Sequence, residues 1–529
     1  MFSTVQNFIH TLTTSPEQRY LDAATRETVC AGLEKLLVDE KFHPWQERER
    51  LRSIFSNYAI AIKEKPEEKL WDESSFRNFI RAAYPASIIP EPQIQLLWRC
   101  FNFYARHPFP IRTLQLKENV ITLSQFQRGV LLTAYQCDAY LGTRDALQYF
   151  AREDGVEHAR AAGFARLFSS VAGSVVETPE TEEQKADAFG AAVDDCMGVL
   201  AMIGPQRIHH SPSTQTLEAA AQRLCGKDGI QRAVYRPSLV EREQLSLLID
   251  LLLRLRLGDK RWGLDVFSTG RFAETGDTDM MRGLADYLAG SNEGEQITVK
   301  RLSQAEKRLP NLMLRFQQLW QVLFQPPQTQ LSATVEAKED LGMGAALSLF
   351  APEIDPDIVR SSDRGRSTRV VLEEAKSQSQ SSSISRRLAQ TLTSPESSHI
   401  VIFSTGPDVT PKIVVGVYMP APSSPPSVGR RIFFQLQPTF RQLRWKKGGT
   451  SLLDLIKAAA ADDDAPHWIG DSTGSGAGLR LDSLENTVTL RYSAESSFVD
   501  VVGFGGERER GESWEVTIHD PKLYFYIAK

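Results

Sequence analysis

Cysteine is scarce in this chain, five residues in 529, and none follows Cys225. Cys30, Cys100, Cys137, Cys196 and Cys225 are widely spaced and form no CxxC pair. That argues against a disulfide framework and for reduced, buried thiols in a cytosolic protein. Long apolar runs are also missing. The most apolar stretch, Leu245 to Leu257, is interrupted by Asp250, Arg254 and Arg256 and reads as a core helix, not a membrane span. Met1-Phe2-Ser3 opens no basic region followed by an apolar core, so no secretory signal is expected. Phe2 in place of glycine excludes N-myristoylation. There is no large basic block, and the formal net charge is −5, which argues against nucleic acid as a partner. None of the nine histidines sits in an HExxH, GxSxG or comparable motif.

What is present is ordinary globular composition, 41% hydrophobic and 24% charged, on a chain too long for one core. Two or three domains are expected. Residues 1–345 carry helical periodicity: Leu33, Leu36 and Leu37 share one face, and Leu51, Ile54, Phe55 and Tyr58 another. Amphipathic segments follow at Gln93 to Tyr104, Ser124 to Tyr140, His158 to Val171, Glu183 to Met202, Leu239 to Leu257 and Leu309 to Phe324. Pro90, Pro108, Pro205 and Pro237 fall between them, where proline ends helices. An all-helical N-terminal region is the expectation. Residues 346–398 turn polar and serine-rich and read as a linker and entry to the next domain. From 399 to 529 short runs recur between turn residues: Ile400 to Phe403, Ile413 to Val417, Ile432 to Leu436, Val488 to Tyr492 and Trp514 to Ile518. Period two in Thr487 to Tyr492 and Trp514 to Ile518 predicts an antiparallel β-sandwich, and the fold class is α+β. Pro420 to Gly429 and Ala458 to Asp464 read as solvated loops.

Two segments in the helical region are shaped like the exit of an EF-hand loop. Leu70 to Phe76 and Val120 to Phe126 each place an apolar residue four before a polar one and open a helix with phenylalanine. Taking Trp71 and Ile121 as the central apolar positions puts Ser75 and Gln125 where calcium needs a bidentate glutamate. The early ligand positions would be Glu64, Pro66 and Glu68 in one loop and Leu114, Leu116 and Glu118 in the other, a poor oxygen cage. The segments read either as a degenerate pair that binds no calcium or as unrelated helix pairs. The glycine-rich run Gly470 to Gly478 lacks a following helix and a GKS or GKT, so it reads as a tight turn or bulge and not a phosphate loop. Asp194-Asp195-Cys196 reads as an acidic face beside a buried cysteine. Trp445, Trp468 and Trp514 read as core anchors.

The order of segments in the C-terminal region resembles the TLDc domain of the eukaryotic oxidation-resistance proteins. Ser383 to Ala389 followed by Ile400 to Phe403 is similar to the family's helical entry and first core strand. Val414 to Tyr418, Phe433 to Leu436 and Leu443 to Gly448, with Trp445, are similar to its next strands. Trp468 to Asp471, leading through Gly474, Gly476 and Gly478 into Leu479 and Asp482, resembles its Gly-rich turn and GLxLD strand. Trp514 to Val516 falls at the closing strand. The family's glutamate-bearing segment is replaced by Pro425 to Arg431, and its late cysteine has no counterpart. Acid-based chemistry of the family is therefore not expected here, and the residues themselves point to no cofactor and no metal. A helical front before such a module resembles the fungal restriction-of-telomere-capping and the lysosomal mTOR-associated members. This implies a non-enzymatic cytoplasmic regulator, peripheral at the vacuolar membrane, that contacts peripheral subunits of the vacuolar proton-pumping ATPase in the oxidative-stress response. Arg430, Arg431, Arg444, Lys446 and Lys447 form the densest basic group of the domain and are the expected partner-binding residues, with a solvated strand face as the alternative. Two rival readings of the whole chain stay open: a helical scaffold with a structural β-domain, and a hydrolase assembled from distant residues.

Overall fold

The computed structural model describes residues 15–41, 45–62, 65–109, 120–137, 141, 155–172, 182–203, 213–226, 239–263, 266–289, 297–299, 302, 308–327, 343–350, 370–371, 384, 388, 398–406, 408–420, 431–445, 466–470, 477–493, 499–501 and 513–528. It is mixed α+β and divides into two compact units. One comprises Met1–Thr275, Gln296–Lys307 and Leu312–Val335; the other comprises Gly276–Glu295, Arg308–Asn311 and Glu336–Lys529.

The first unit opens with α1 (Pro16–Ala23), α2 (Arg26–Lys41) and α3 (Trp45–Tyr58). A hairpin of β1 (Ile60–Ile62) and β2 (Lys65–Leu70) leads to α4 (Glu73–Ala83), α5 (Glu91–Ala105) and α6 (Leu123–Thr133). The chain continues through α7 (Gly155–Val171), α8 (Glu182–Ile203), α9 (Thr214–Cys225), β3 (Leu239–Val240), α10 (Arg242–Arg254) and a second hairpin, β4 (Leu255–Trp262) with β5 (Phe267–Phe272). It then leaves for α11 (Thr278–Ala289) of the second unit and returns with β6 (Ile297–Thr298), which pairs with β3, and α12 (Leu312–Leu323).

The expected all-helical region is therefore corrected: three two-stranded sheets lie within it. The run Leu239 to Leu257 shows why. A leucine-rich stretch fits a helix or a buried strand equally well, and here the helix stops at Arg254 and a strand starts at Leu255. Two of the charges inside that run, Asp250 and Arg254, satisfy each other. Arg254 donates to Asp250 at 2.7 Å and to Gln93 at 2.7 Å, and Gln93 donates to Asp250 at 2.6 Å.

In the second unit α11 and α13 (Met343–Phe350) precede β7 (Val370–Val371), β8 (Ser398–Ser404), β9 (Val414–Met419), β10 (Ile432–Gln437), β11 (Arg441–Trp445), β12 (His467–Gly470), β13 (Gly478–Asp482), β14 (Thr487–Tyr492), β15 (Val499–Val501), β16 (Trp514–His519) and β17 (Lys522–Ala528). The helix Met343–Phe350 straddles the start of the stretch expected to be a linker, and Phe350 is fully buried. A seven-stranded antiparallel sheet runs β15-β11-β10-β9-β8-β17-β7 and a four-stranded one β12-β13-β14-β16. Val401, Phe403, Val415, Val417, Phe433 and Leu443 of the first and Leu479, Leu481, Val488, Leu490 and Ile518 of the second belong to one apolar cluster, with Ile384 and Leu388.

The two sheets differ in their other faces, and the sequence says so. β14 and β16 alternate, as expected for a sheet with one wet side: Thr489 and Thr517 pair away from the cluster at 3.0 Å. β8, β9 and β10 are nearly continuous apolar runs buried along their whole length. Their second face is covered by the two helices. Phe350 of α13 meets Phe434 at 5.1 Å and Phe440 at 5.7 Å, and Tyr287 of α11 meets Phe440 at 4.7 Å. Asp277, at the start of α11, accepts from Gln437 at 2.6 Å and lies 3.9 Å from Lys412. Gly416 lets Phe434 lie flat across β9; a Cβ there would strike that ring and the Val401 carbonyl.

Candidate functional site

The two loop exits singled out in the sequence meet. Trp71 and Ile121 form an antiparallel bridge outside any named strand, Trp71 N–H donating to Ile121 O at 2.9 Å and Ile121 N–H to Trp71 O at 2.8 Å. The helices on either side, α3 and α4 around one loop and α5 and α6 around the other, share an aromatic core. The Trp71 ring packs on Phe126 at 4.5 Å and on Phe55 at 6.0 Å, and its Nε1 donates to Phe55 O at 2.8 Å. That carbonyl, in the last turn of α3, also accepts from Ala59 N–H at 2.9 Å.

Each bridging residue is followed by a helix cap, and the caps use the side chains that calcium would need. Asp72 accepts from Ser75 N–H at 2.8 Å, Ser74 Oγ at 2.7 Å and Ser75 Oγ at 2.9 Å. Burial alone would raise the Asp72 carboxyl, but these hydrogen bonds outweigh it and hold the group below its ordinary value. Thr122 and Gln125 form a reciprocal box, Gln125 N–H donating to Thr122 Oγ1 at 3.3 Å and Thr122 N–H to Gln125 Oε1 at 2.9 Å. Ser75 and Gln125 are thus turned back onto their own helices. In the first loop Pro66 and Glu68 stand on strand β2, paired against β1. Glu64, Leu114, Leu116 and Glu118 lie outside the described residues. Among the described residues no group of three or more His, Cys, Asp or Glu side chains is placed to hold a metal ion.

The expected partner-binding residues lie at one end of the β10–β11 pair. Ile432 pairs with Arg444 and Trp445 N–H donates to Arg431 O at 3.0 Å, so Arg431 and Arg444 come from adjacent strands at the same end. Both are half-buried. Trp445 points into the apolar cluster. Arg430, Lys446, Lys447, Gly474 and Gly476 lie outside the described residues. Gly478 opens β13 opposite Gly470, whose φ of 139° and close approach to Ala477 O, 2.7 Å from where a Cβ would sit, suit only glycine. A strand, not a helix, follows. Leu479 is buried in the cluster. Asp482 accepts from Arg480 at 2.9 Å and caps the Leu484–Glu485 turn. Trp514 and Trp468 are half-buried, and Arg441 lies 4.5 Å over the Trp514 ring.

Cys196 is fully buried, and contact with Cys225, then burial, push its thiol far above the ordinary range. Asp195 beside it binds Arg166 at 3.0 Å. Near this pair lies a residue the sequence gave no reason to select. His107 is fully buried, neither ring nitrogen has a hydrogen-bond partner, and Nδ1 stands 4.0 Å from Asp195. Burial, then Arg166 and Arg128, hold it well below the usual histidine range. Sequence reasoning also missed the fit of α12 against the bridged helices; its only signal was Phe316, Trp320 and Phe324 spaced four apart. No helix among the described residues is long and apolar enough to cross a membrane. The chain matches no protein-family model and no curated protein sequence.

Proposed function

We propose that the protein is a non-enzymatic regulator or adaptor of the TLDc type. In this reading the C-terminal unit is a two-layer β-sandwich, and the paired loops are an EF-hand-like lobe that works without calcium. The partner is the peripheral part of the vacuolar proton-pumping ATPase, met at the vacuolar surface by a cytoplasmic protein that serves the oxidative-stress response. The observation that carries the reading is the order of the family-like segments, which fall in succession on β8, β9, β10, β11, β12, β13 and β16. The basic end of β10–β11 supplies a surface for an acidic partner. Such a surface steers association and is weakened by salt.

The test is direct binding of the full chain to the purified peripheral sector of the ATPase, at low and at moderate salt. Saturable binding is expected, weakened roughly tenfold by Arg444→Glu, as for loss of a charged interface contact. Circular dichroism must show that variant to be folded. No binding by the wild-type chain at micromolar concentration would sink the ATPase reading.

A further inference from the structure

We propose that Cys196 and Cys225 are a redox-active dithiol: a disulfide can close between α8 and α9, and in closing it loosens the short helix α1 that covers the pair. All of the residues involved belong to the first unit.

Both side chains are fully buried, in the thiol form, one on each of two packed helices. Cys225 Sγ donates to Ala192 O at 3.6 Å. Ala192 lies one turn before Cys196 on α8, and side chains on a helix lean over the preceding turn. The Cys196 thiol therefore comes down where Cys225 Sγ stands, and the two thiols are in hydrogen-bonding contact. Closing the disulfide shortens that contact to a bond of about 2.05 Å. Cys225 can supply the movement, because it is the last residue of α9 and is followed by Gly226 at a φ of 91°. Glycine takes up that backbone without strain, so no helix has to bend.

The oxidant is a small disulfide of the glutathione class. One cysteine thiolate attacks a glutathione sulfur, forming a mixed disulfide and expelling one glutathione thiolate. The other cysteine thiolate then attacks the cysteine sulfur of that mixed disulfide, closing Cys196–Cys225 and expelling the second glutathione thiolate. A pair of electrons passes from the cysteine sulfurs to glutathione, and the protons of both thiols end on the glutathione thiolates. Contact with Cys225, then burial, keep the Cys196 thiol protonated at rest, so exchange starts only when the cover lifts.

That cover is α1. Its Tyr20 hydroxyl is buried near Cys196 without a hydrogen-bond partner. The helix has eight residues, too few to persist alone, and Arg19, Asp22 and Ala23 are exposed. What holds it is the turn that ends in Cys225. Arg223 donates to Asp22 O at 2.9 Å, to Ala24 O at 3.4 Å and to Leu21 O. Arg26, just after α1, donates to Leu224 O at 2.7 Å. Drawing Cys225 toward α8 moves Arg223 and Leu224 with it. Those hydrogen bonds are exposed or half-buried, so water replaces them once they stretch.

The full chain, incubated folded in oxidised glutathione or in dithiothreitol, is alkylated and mapped by mass spectrometry. A Cys196–Cys225 link is expected in the first sample and two alkylated thiols in the second. Thiols that stay unlinked in the folded protein, links to other cysteines instead, or a link that forms only in denaturant would overturn the proposal. Hydrogen exchange on the same samples reads the effect on α1. The amides of Arg19 to Ala24 should exchange several-fold faster in the linked protein, while those of Trp71 and Ile121 stay protected. Linked protein with unchanged exchange in α1 would refute the coupling. Arg223→Ala removes the ties and touches neither thiol, so it should speed formation of the link several-fold; an unchanged rate would show that α1 is not the cover. Cys225→Ser should show the same α1 exchange in both buffers, and a difference would place the effect of glutathione elsewhere. If that variant does not fold, the wild-type comparison decides.

Discussion

The two units solve the same problem, covering an apolar surface that local sequence leaves open, by different means. In the first, the surface is a groove between helices already tied by the Trp71–Ile121 bridge, and the cover is one distant helix held on its other side by glutamines. In the second, the surface is the outer face of β8, β9 and β10, and the covers are two helices whose contacts are chiefly aromatic. Both covers bury aromatic rings, Phe316, Trp320 and Phe324 in the first unit and Tyr287 and Phe350 in the second, so removing either exposes apolar area. The contrast lies in the polar ties: Gln321 and Gln325 of the first bond the backbone of β5, whereas Asp277 of the second accepts from a side chain, Gln437.

The largest test of that contrast is Phe440→Ala. Phe440 is buried between Tyr287 and Phe350. Its truncation should cost about 3–5 kcal/mol, as for other buried phenylalanines. Hydrogen exchange should show the loss at the amides of β9 and β10, with the Trp71 and Ile121 amides unmoved. If both sets weaken together, the units unfold as one and the contrast fails.

How much of this was legible follows from the same difference. Strand positions in the second unit were readable because period two and β-branched runs survive in any context: Thr487 to Tyr492 and Trp514 to Ile518 lie where alternation places them. The continuous runs in β8 to β10 also carried the signature of a sheet buried on both faces, but nothing local could say that the cover comes from Thr278–Ala289 and Met343–Phe350. In the first unit loop spacing singled out Trp71 and Ile121 as equivalent positions, but their pairing came only with the structure. The β4–β5 hairpin was not legible either, since Leu255 and Leu257 extend a helical pattern and only pairing with Phe267–Phe272 ends it. His107 was invisible because its burial depends on Arg128 and Asp195, which approach from two other helices.

His107 offers a smaller test, confined to the first unit. Its folded-state value lies well below 6.5 and its unfolded value near 6.5, so the unfolded chain takes up the proton first. The associated stability is present above pH 6.5 and is lost as pH falls below it. Denaturant unfolding of wild type and His107→Gln at pH 7.5 and 5.5 should show a smaller acid loss in the variant. Equal losses would mean that His107 is protonated in the folded protein.

The smallest effect separates the two halves of the bridge itself. Asp72 and Thr122 both cap helices that begin just after a bridging residue, and alanine at either should cost about 1 kcal/mol at neutral pH. Only Asp72 titrates. Its folded value is depressed, so its stabilisation is present above the unfolded value near 3.9 and fades as pH falls through the folded one. The cost of Asp72→Ala should therefore shrink on acidification from pH 7 toward pH 3, while that of Thr122→Ala stays level. Asp72→Asn should keep most of the cap and lose the pH dependence, because an amide oxygen still accepts from Ser75 N–H but carries no charge. Matching acid profiles for Asp72→Ala and Thr122→Ala would show that the carboxylate acts as a neutral acceptor. The two loop exits would then be equivalent in chemistry as well as in geometry.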